Sequence, residues 1–214
     1  MKPFGSGNCA QDTRDPAPVL IRPATDADRP ALEALAGLAT RDLLGPFLSK
    51  EQRAATFAFT PLDPWLIEDG TYFVLEVNGK IRASGGWSWR GPMIHNPNGQ
   101  YRPPESQSNG VARIRAMYTD PGHARKGFGR TILSVCELAA RLAGVRRLEL
   151  VATPVGELLY RACGFESVEI IDLDAPGGVI IPVTRMQKIL SPKVRQPRDT
   201  EEASVACNHS KWRN

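Results

Sequence analysis

A basic loop that contains two glycines is the stretch of this chain best suited to bind an anion. It reads Ala124-Arg-Lys-Gly127-Phe-Gly129-Arg130 and follows a short apolar run that ends at the Asp120-Pro121 turn. A strand, a glycine loop and a helix start in this order present backbone N–H groups without helical partners to a phosphate, and the helix dipole adds partial positive charge there. Arg125, Lys126 and Arg130 add full charges. The loop therefore predicts a site for a cofactor that carries a pyrophosphate.

Two common phosphate-binding loops do not fit this stretch. A P-loop requires Lys followed by Ser or Thr after its second glycine, whereas Gly127 precedes Phe128 and Gly129. The dinucleotide fingerprint requires a third glycine where this chain has Ile132. An ordinary turn before a helix is the remaining alternative, and the loop by itself does not exclude it.

The residues after the loop predict a helix over about 127–143. Apolar residues recur at helical spacing on one face, and Gly144 follows where a left-handed C-cap residue belongs. The apolar face consists of Phe128, Ile132, Val135, Cys136, Ala139 and Ala143. A strand-like run over 146–152 comes next, and then a short helix that ends at Gly164.

With these elements in place, the chain resembles the GNAT superfamily of acetyl-CoA-dependent N-acetyltransferases. The cofactor loop of that family, Arg/Gln-x-x-Gly-x-Gly/Ala, corresponds to Ala124–Gly129, with Ala124 in place of Arg or Gln. A second family motif, Leu-Tyr-x-x-x-Gly-Phe, corresponds to Leu159–Phe165. Two motifs in the expected order and on the expected elements are more specific than either one alone. The resemblance covers residues 19–190.

The resemblance implies acetyl-CoA as a co-substrate, bound without a metal ion. In this fold the fourth and fifth strands splay apart, and the pantetheine arm is expected to lie in the opening and pair with backbone groups of 117–119. The phosphates are expected at the loop and the first helical turn. The residues expected to bind the co-substrate are Met117, Tyr118, Thr119, Ala124, Arg125, Lys126, Gly127, Phe128, Gly129, Arg130 and Thr131.

The resemblance also implies a role for one tyrosine. In the family the motif tyrosine protonates the leaving thiolate, and here that residue is Tyr160. A phenol with an ordinary pKa of about 10 is protonated at neutral pH and can supply this proton. The alternative is a helix tyrosine that only packs on the sheet. We identify Tyr160 as the candidate catalytic residue.

The sequence identifies no general base. Residue type alone makes candidates of Glu68, Asp69, His95 and Glu149. We expect Glu149 to lie in a strand and to form a cross-strand ion pair with Arg113 or Arg115. A loop histidine such as His95 is more often solvated than catalytic.

The acceptor is expected to be a primary amine of a small molecule, although no residue identifies it, and a protein lysine or N-terminus stays open. By resemblance, the acceptor pocket would involve Arg41–Lys50 and the long Gly91–Gly110 loop. Trp87 and Trp89 alternate along a predicted strand, so both face one side of the sheet. They would either form an aromatic wall of the pocket or pack in the sheet core.

The order of predicted elements gives a mixed, mostly antiparallel α/β sheet with flanking helices. A strand, a helix over Arg29–Leu38 and a second helix precede three strands, and a helix, a strand, a helix and two strands follow. Asn78-Gly79 predicts a hairpin, and Pro182 in the last strand predicts an edge or a bulge. We expect one domain over 18–190, a disordered tail over 1–17 and a flexible tail over 191–214.

Composition favours a cytoplasmic protein that binds neither a membrane nor nucleic acid. The chain has 42% apolar and 23% charged residues, with no apolar run long enough to span a bilayer and no apolar signal core at its start. The four cysteines lack metal-ligand spacing and are expected to be reduced. The net charge of +4 is dispersed, without the basic and aromatic stripe that stacks bases. Edge strands near the C-terminus leave a homodimer open.

Three hypotheses follow. The first is an enzyme that transfers an acetyl group directly from acetyl-CoA to an amine. The second is a non-catalytic module of the same fold that binds acyl-CoA as a sensor or offers a partner surface. The third is a nucleic-acid-binding protein with a fortuitous glycine loop, which would bind with a steep salt dependence.

Overall fold

The computed structural model describes residues 18–56, 62, 64–90 and 110–190. The predicted tails, His95 and nearly all of the 91–110 loop lie outside the described residues, so the expectations for them stay predictions. The strands are β1 (Val19–Pro23), β2 (Tyr72–Val77), β3 (Lys80–Ser88), β4 (Val111–Thr119), β5 (Arg147–Ala152), β6 (Glu166–Ala175) and β7 (Val179–Ile189). The helices are α1 (Arg29–Leu43), α2 (Lys50–Thr56), α3 (Pro64–Glu68), α4 (Phe128–Leu142) and α5 (Pro154–Ala162).

The seven strands form one sheet in the order β1-β2-β3-β4-β5-β7-β6. All neighbouring strands are antiparallel except β4 and β5, which are parallel because α4 connects them as a crossover. This confirms the predicted mixed, mostly antiparallel sheet. The predicted hairpin is also present: Asn78 and Gly79 take the positive φ values of 53° and 71° that a tight hairpin turn requires.

Helices cover both faces of the sheet. On one face, α4 and α5 pack on the central strands, and Ile132, Cys136 and Tyr160 share one apolar cluster with Trp87 and Leu148. On the other face there are two separate apolar clusters. One joins α1 and α3 to β2, and the other joins the end of α1 and α2 to β6 and β7.

Two helices differ from the sequence prediction. Helix α1 extends to Leu43 rather than Leu38, because the residues after Leu38 keep burying one side, including Ala39 and Thr40. Helix α3 was not predicted, because its five residues are too few to show a helical period, although Trp65 and Leu66 are buried in the core.

The last strand, β7, lies inside the sheet and not at its edge. Its pairing with β5 begins only at Thr184, while Pro182 pairs with Asp172 of β6. Because no residue of β5 faces Pro182, the missing N–H leaves no hydrogen bond to β5 unmade. The edge predicted from Pro182 is therefore local, and the edge strand on this side of the sheet is β6.

Candidate functional site

Strands β4 and β5 pair over three residues and then part. The pairing runs from Val111 opposite Arg147 to Arg113 opposite Glu149, while β4 continues to Thr119. Beyond Arg113, the side of β4 that faces β5 has no strand partner among the described residues, whereas β5 stays paired with β7 up to Ala152. The fold thus contains the expected opening. An open strand edge offers backbone N–H and C=O groups to an extended ligand.

A bulge in β4 lies beside this opening. Between Ser84 and Gly86 of β3, the opposite partners in β4 advance from Tyr118 to Arg115, so β4 contains one extra residue. Ala116, within the bulge, has a φ of 51°, which an L-residue adopts only at a cost. The bulge turns the backbone of the residues that follow it, which are the predicted co-substrate residues Met117 to Thr119.

A buried tyrosine contacts the bulge. The hydroxyl of Tyr72 donates to the carbonyl oxygen of Ala116 at 2.9 Å and lies 3.0 Å from Oγ of Ser84. Tyr72 and Ser84 are both almost fully buried. Burial raises the pKa of Tyr72 far above its ordinary value, so its phenol stays protonated and remains a donor. Sequence patterns do not single out this pair, because Tyr72 also fits an ordinary apolar strand position.

The predicted phosphate loop follows β4 through a fixed turn. Asp120 accepts a hydrogen bond from the Gly122 N–H at 2.8 Å and pairs with Arg82 at 2.6 Å. Burial alone would raise the pKa of Asp120, but the hydrogen bonds from Arg82 and Gly122 lower it below its ordinary value. After this turn, Arg125 and Gly127 adopt left-handed φ values of 63° and 86°. Gly127 is the N-cap residue of α4.

The first turn of α4 has free backbone donors. Thr131 N–H donates to the Gly127 carbonyl at 2.9 Å, and no acceptor among the described residues takes the N–H groups of 128, 129 and 130. Arg125, Lys126 and Arg130 are exposed around this turn and form no ion pair with a described residue. Left-handed loop residues, free N–H groups and cations together are typical of a phosphate site.

Gly129 joins the loop to the end of β4 and to α5. A Cβ added there would lie 3.3 Å from Oγ1 of Thr119 and 3.3 Å from Cδ2 of Leu159. A larger residue would therefore push the start of α4 away from both elements. The eleven predicted co-substrate residues form one continuous region, made of the end of β4, the loop and the first turn of α4. The side chains of Met117 and Phe128 pack against the core, so any contact from these residues would come from their backbone.

Tyr160 lies on α5 in the cluster below α4. Its ring packs edge-on against Phe165 at 5.8 Å, and the residue is 8% exposed. Its hydroxyl forms no hydrogen bond with a described residue. Burial raises the pKa of Tyr160 well above its ordinary value, and the neighbouring Cys136 and Tyr118 add to this effect. The Tyr160 phenol is therefore protonated at neutral pH and lies near the bulged strand.

The expected pairing of Glu149 is wrong. Its buried carboxylate pairs with Arg147 at 3.2 Å and with Arg185 at 3.7 Å. Arg113 stands opposite it in register but forms no ion pair with it, because neighbours across a parallel pair are offset. Trp87 and Trp89 do share one face, at 4.8 Å and nearly perpendicular, and both belong to the core beneath α4. Their positions favour the alternative in which they pack in the sheet core.

Among the described residues, no three His, Cys, Asp or Glu side chains are grouped so that they could hold a metal ion. In the same ranges, no helix has the length and hydropathy that a membrane span requires.

Known proteins share both the loop and the fold. The model of the Acetyltransferase (GNAT) family matches residues 32–165, which include β4, the loop, α4 and Tyr160. No curated protein sequence matches significantly. Similar solved structures include a GCN5-related N-acetyltransferase from Rhodopseudomonas palustris, with a TM-score of 0.62 and 16% identity over 80% of this chain and 95% of that one.

Two further structures agree. A ribosomal-protein-alanine N-acetyltransferase from Brucella melitensis has a TM-score of 0.56 and 23% identity, over 80% of this chain and 99% of that one. The PaiA N-acetyltransferase from Thermoplasma acidophilum, solved with coenzyme A, has a TM-score of 0.57 and 14% identity, over 81% and 99%. At these identities the structures support the fold alone. The family match spans most of the chain and includes the splayed strands and the glycine loop, so the chain belongs to the acetyltransferase (GNAT) family.

Proposed function

We propose that this protein transfers an acetyl group directly from acetyl-CoA to a primary amine, and that the acceptor is a small molecule. The observation that carries the proposal is the position of the free first turn of α4 at the end of the open edge of β4. One ligand that has both a pyrophosphate and an extended amide-containing arm would satisfy both features. Acetyl-CoA is such a ligand, and it supplies the acetyl group as a thioester.

The loop residues would bind the phosphates. The N–H groups of 128–130 supply donors, and Arg125, Lys126 and Arg130 supply charge. The backbone of Met117, Tyr118 and Thr119 would pair with the arm along the opening. Ala124, Gly127 and Thr131 would fix the loop, with Thr131 bonded to the Gly127 carbonyl through both its N–H and its hydroxyl.

Tyr160 would act as the general acid. When the amine nitrogen bonds to the acetyl carbon, the carbon–sulfur bond breaks and the sulfur leaves with the electron pair. The phenol of Tyr160 donates its proton to that sulfur and later regains one from solvent, while the amine loses one proton. Its raised pKa keeps the proton in place until the thiolate forms.

The binding part of the proposal is tested by titrating acetyl-CoA into the protein by calorimetry. Gly127→Glu is expected to lower the affinity at least about tenfold, because a carboxylate would stand at the phosphate position. Gly144→Glu is the matched control, since Gly144 ends the same helix with a φ of +90° and, like Gly127, has no atom within 4 Å of an added Cβ. Equal affinity of the two variants would contradict the assigned site.

The catalytic part is tested with Tyr160→Phe. Loss of the phenolic proton is expected to lower kcat by about 10²-fold or more while acetyl-CoA affinity is kept. Amine acetylation is followed by release of free thiol over a broad amine panel. Binding of acetyl-CoA without turnover of any amine by the unmodified protein would instead favour the non-catalytic acyl-CoA-binding module.

A further inference from the structure

The sheet face opposite α4 contains an arginine strip, formed by Arg113, Arg115, Arg147 and Arg185. Ala112, Ile114, Leu148 and Leu150 point into the core beneath α4. Because side chains alternate along a strand, Arg113 and Arg115 of β4 and Arg147 of β5 point to the other face. Arg185 of β7 joins them through Glu149. The strip separates the two apolar clusters of this face.

Among the described residues, two carboxylates pair with Arg147 and Arg185 of the strip, and none pairs with Arg113. Glu149 binds Arg147 and Arg185, and Arg185 also pairs with the exposed Glu169 at 2.8 Å. No other carboxylate among the described residues pairs with the strip. A half-buried arginine without a carboxylate partner is costly unless an anion shares the site.

Arg113 is the arginine of the strip whose guanidinium has no partner among the described residues. Its guanidinium forms no hydrogen bond or ion pair with any described residue, and its Nε is buried. Arg115 donates to the carbonyl of Arg90 at 3.2 Å. Glu149 does not neutralise Arg113, because its carboxylate is occupied by Arg147 and Arg185.

The position of Arg113 connects it to the reaction. Arg113 and Glu149 are the last residues paired between β4 and β5 before the opening, and Arg115 directly precedes the bulge at Ala116. Met117 lies four residues beyond Arg113 on a strand that rises about 3.3 Å per residue, so the arginine side chain covers only part of the roughly 13 Å between them and a bound acceptor would span the rest. Since α4 and the phosphate loop lie on one face of the sheet, a group bound by Arg113 would lie on the opposite side of the opening from the phosphates.

We propose that the acceptor amine carries an oxyanion, a carboxylate or a phosphate group, which Arg113 binds at the closed end of the opening. The inference rests on the proposed acetyl transfer and defines its substrate class as a small amino acid or an amine of similar shape. The guanidinium fork matches the oxygen pair of such a group. Arg113 thus orients the amine toward the thioester and takes no part in proton transfer.

The experiment compares matched acceptors. Each L-amino acid is offered with its α-carboxamide and its α-aminophosphonate, and kcat/KM for acetylation is measured at one pH. The carboxamide lowers the pKa of the neighbouring amine, so intrinsic reactivity at neutral pH favours the amide. A preference for the anionic forms of about 10- to 100-fold is expected, and the two anionic series distinguish carboxylate from phosphate recognition. Equal use of all three forms would overturn the proposal.

Variants assign the preference to one residue. Arg113→Gln is expected to reduce the ratio of kcat/KM between acid and amide toward one, mainly through KM, and Arg113→Lys is expected to restore part of it. Arg146→Gln is the matched control, because Arg146 is an exposed arginine at the other end of the β4–β5 pair. If Arg113→Gln instead lowers acetyl-CoA affinity, or if the ratio is unchanged, the proposal is wrong.

A binding measurement separates this inference from the proposed function. N-acetyl-L-alanine and N-acetyl-L-alaninamide are titrated into the protein saturated with CoA, where no chemistry occurs. Tighter binding of the acid, lost in Arg113→Gln, supports the oxyanion site even if no acceptor has been found. Acetylation of neutral amines or peptide N-termini, with no preference for the acid in either assay, leaves the proposed function standing and overturns the inference.

Discussion

Tyr72 is the residue whose contacts fix the backbone beside the proposed reaction centre. Its hydroxyl donates a hydrogen bond to the carbonyl of Ala116, which the bulge takes out of the β3–β4 register, and Ser84 contacts the hydroxyl from the other side. An alanine keeps a positive φ only when surrounding contacts stabilise that backbone conformation. The bulge is therefore a property of buried side chains on β2 and β3, and not of β4 alone.

Tyr72→Phe tests this dependence. The change leaves a buried carbonyl and the Ser84 hydroxyl without a partner, so the free energy of unfolding is expected to fall by about 1–3 kcal/mol. Chemical denaturation measures the loss, and Tyr160→Phe serves as the control, since that hydroxyl has no hydrogen bond with a described residue to lose. A Ser84→Ala change in the Tyr72→Phe background should cost less than Ser84→Ala alone, and simple additivity would contradict the coupling.

Sequence reasoning found Tyr160 and missed Tyr72 for one physical reason. Tyr160 belongs to a local motif in which neighbours in the sequence are neighbours in space. Tyr72 acts on a residue 44 positions away, through a register that only the folded sheet defines. The assigned roles of Tyr160 and the loop residues stay predictions until binding and turnover are measured.

At the scale of elements, the adjacent Gly85 and Gly86 allow β3 to pair with the bulged strand. A Cβ at Gly85 would overlap the Met117 sulfur and lie 2.7 Å from Cγ2 of Ile132. A Cβ at Gly86 would lie 2.8 Å from the Thr71 carbonyl and 2.7 Å from the Tyr72 ring. The first obstacle is a flexible side chain, whereas the second includes backbone that already accepts a hydrogen bond from Trp87.

Alanine at these two positions should therefore differ in cost. Gly86→Ala is expected to lower the free energy of unfolding by more than about 3 kcal/mol, and Gly85→Ala by about 1–3 kcal/mol, because Met117 can change rotamer. Adding Met117→Ala should recover part of the Gly85→Ala loss and none of the Gly86→Ala loss. Thermal or urea unfolding measures each variant. Gly45→Ala is the control, since an added Cβ there would lie 3.3 Å from the flexible end of the Arg53 side chain and at an ordinary 3.9 Å from the Asp42 carbonyl oxygen.

Most of the helices and strands could be predicted from the sequence. Helix α4 and the Asn78-Gly79 hairpin follow from period and turn chemistry, and the structure has both. The ion-pair partners of Glu149 could not be predicted, because a residue in a central strand has candidate partners on two neighbouring strands. Arg147 and Glu149 are two residues apart on β5, so their side chains point to the same face and can pair. A prediction that considers only neighbouring strands does not include this partner.

At the scale of the whole molecule, buried and half-buried carboxylates should govern stability in acid. Hydrogen bonds from Arg22 hold the pKa of Asp28 far below its ordinary value, and those from Arg161 and Thr184 lower the pKa of Glu157. Asp120 is lowered as well. Since these folded-state pKa values lie below the unfolded ones, the unfolded chain binds more protons in acid. The stability they contribute is present above about pH 4 and is lost as the pH falls further.

Asp120→Asn tests one part of that acid dependence. Near neutral pH the variant should be less stable by about 1–3 kcal/mol, because the pair with Arg82 loses its charge. Its stability should then fall less steeply than that of the unmodified protein as the pH drops from about 5 to 2. Urea unfolding at a series of pH values measures both. Asp26→Asn, at a carboxylate that is 76% exposed, is the control, and an identical slope for Asp120→Asn would refute the assignment.

The short pairing between β4 and β5 also affects how the molecule folds and unfolds. Hydrogen bonds join strands β1 to β4 into one half-sheet and β5 to β7 into another, and only three residue pairs connect the halves across the sheet. Cooperative unfolding units tend to follow such divisions. Helix α4, which packs on β2, β3 and β4 and leads into β5, then couples the two units mainly through side chains. An extended ligand in the opening would act as a missing strand and would make the two halves unfold as one.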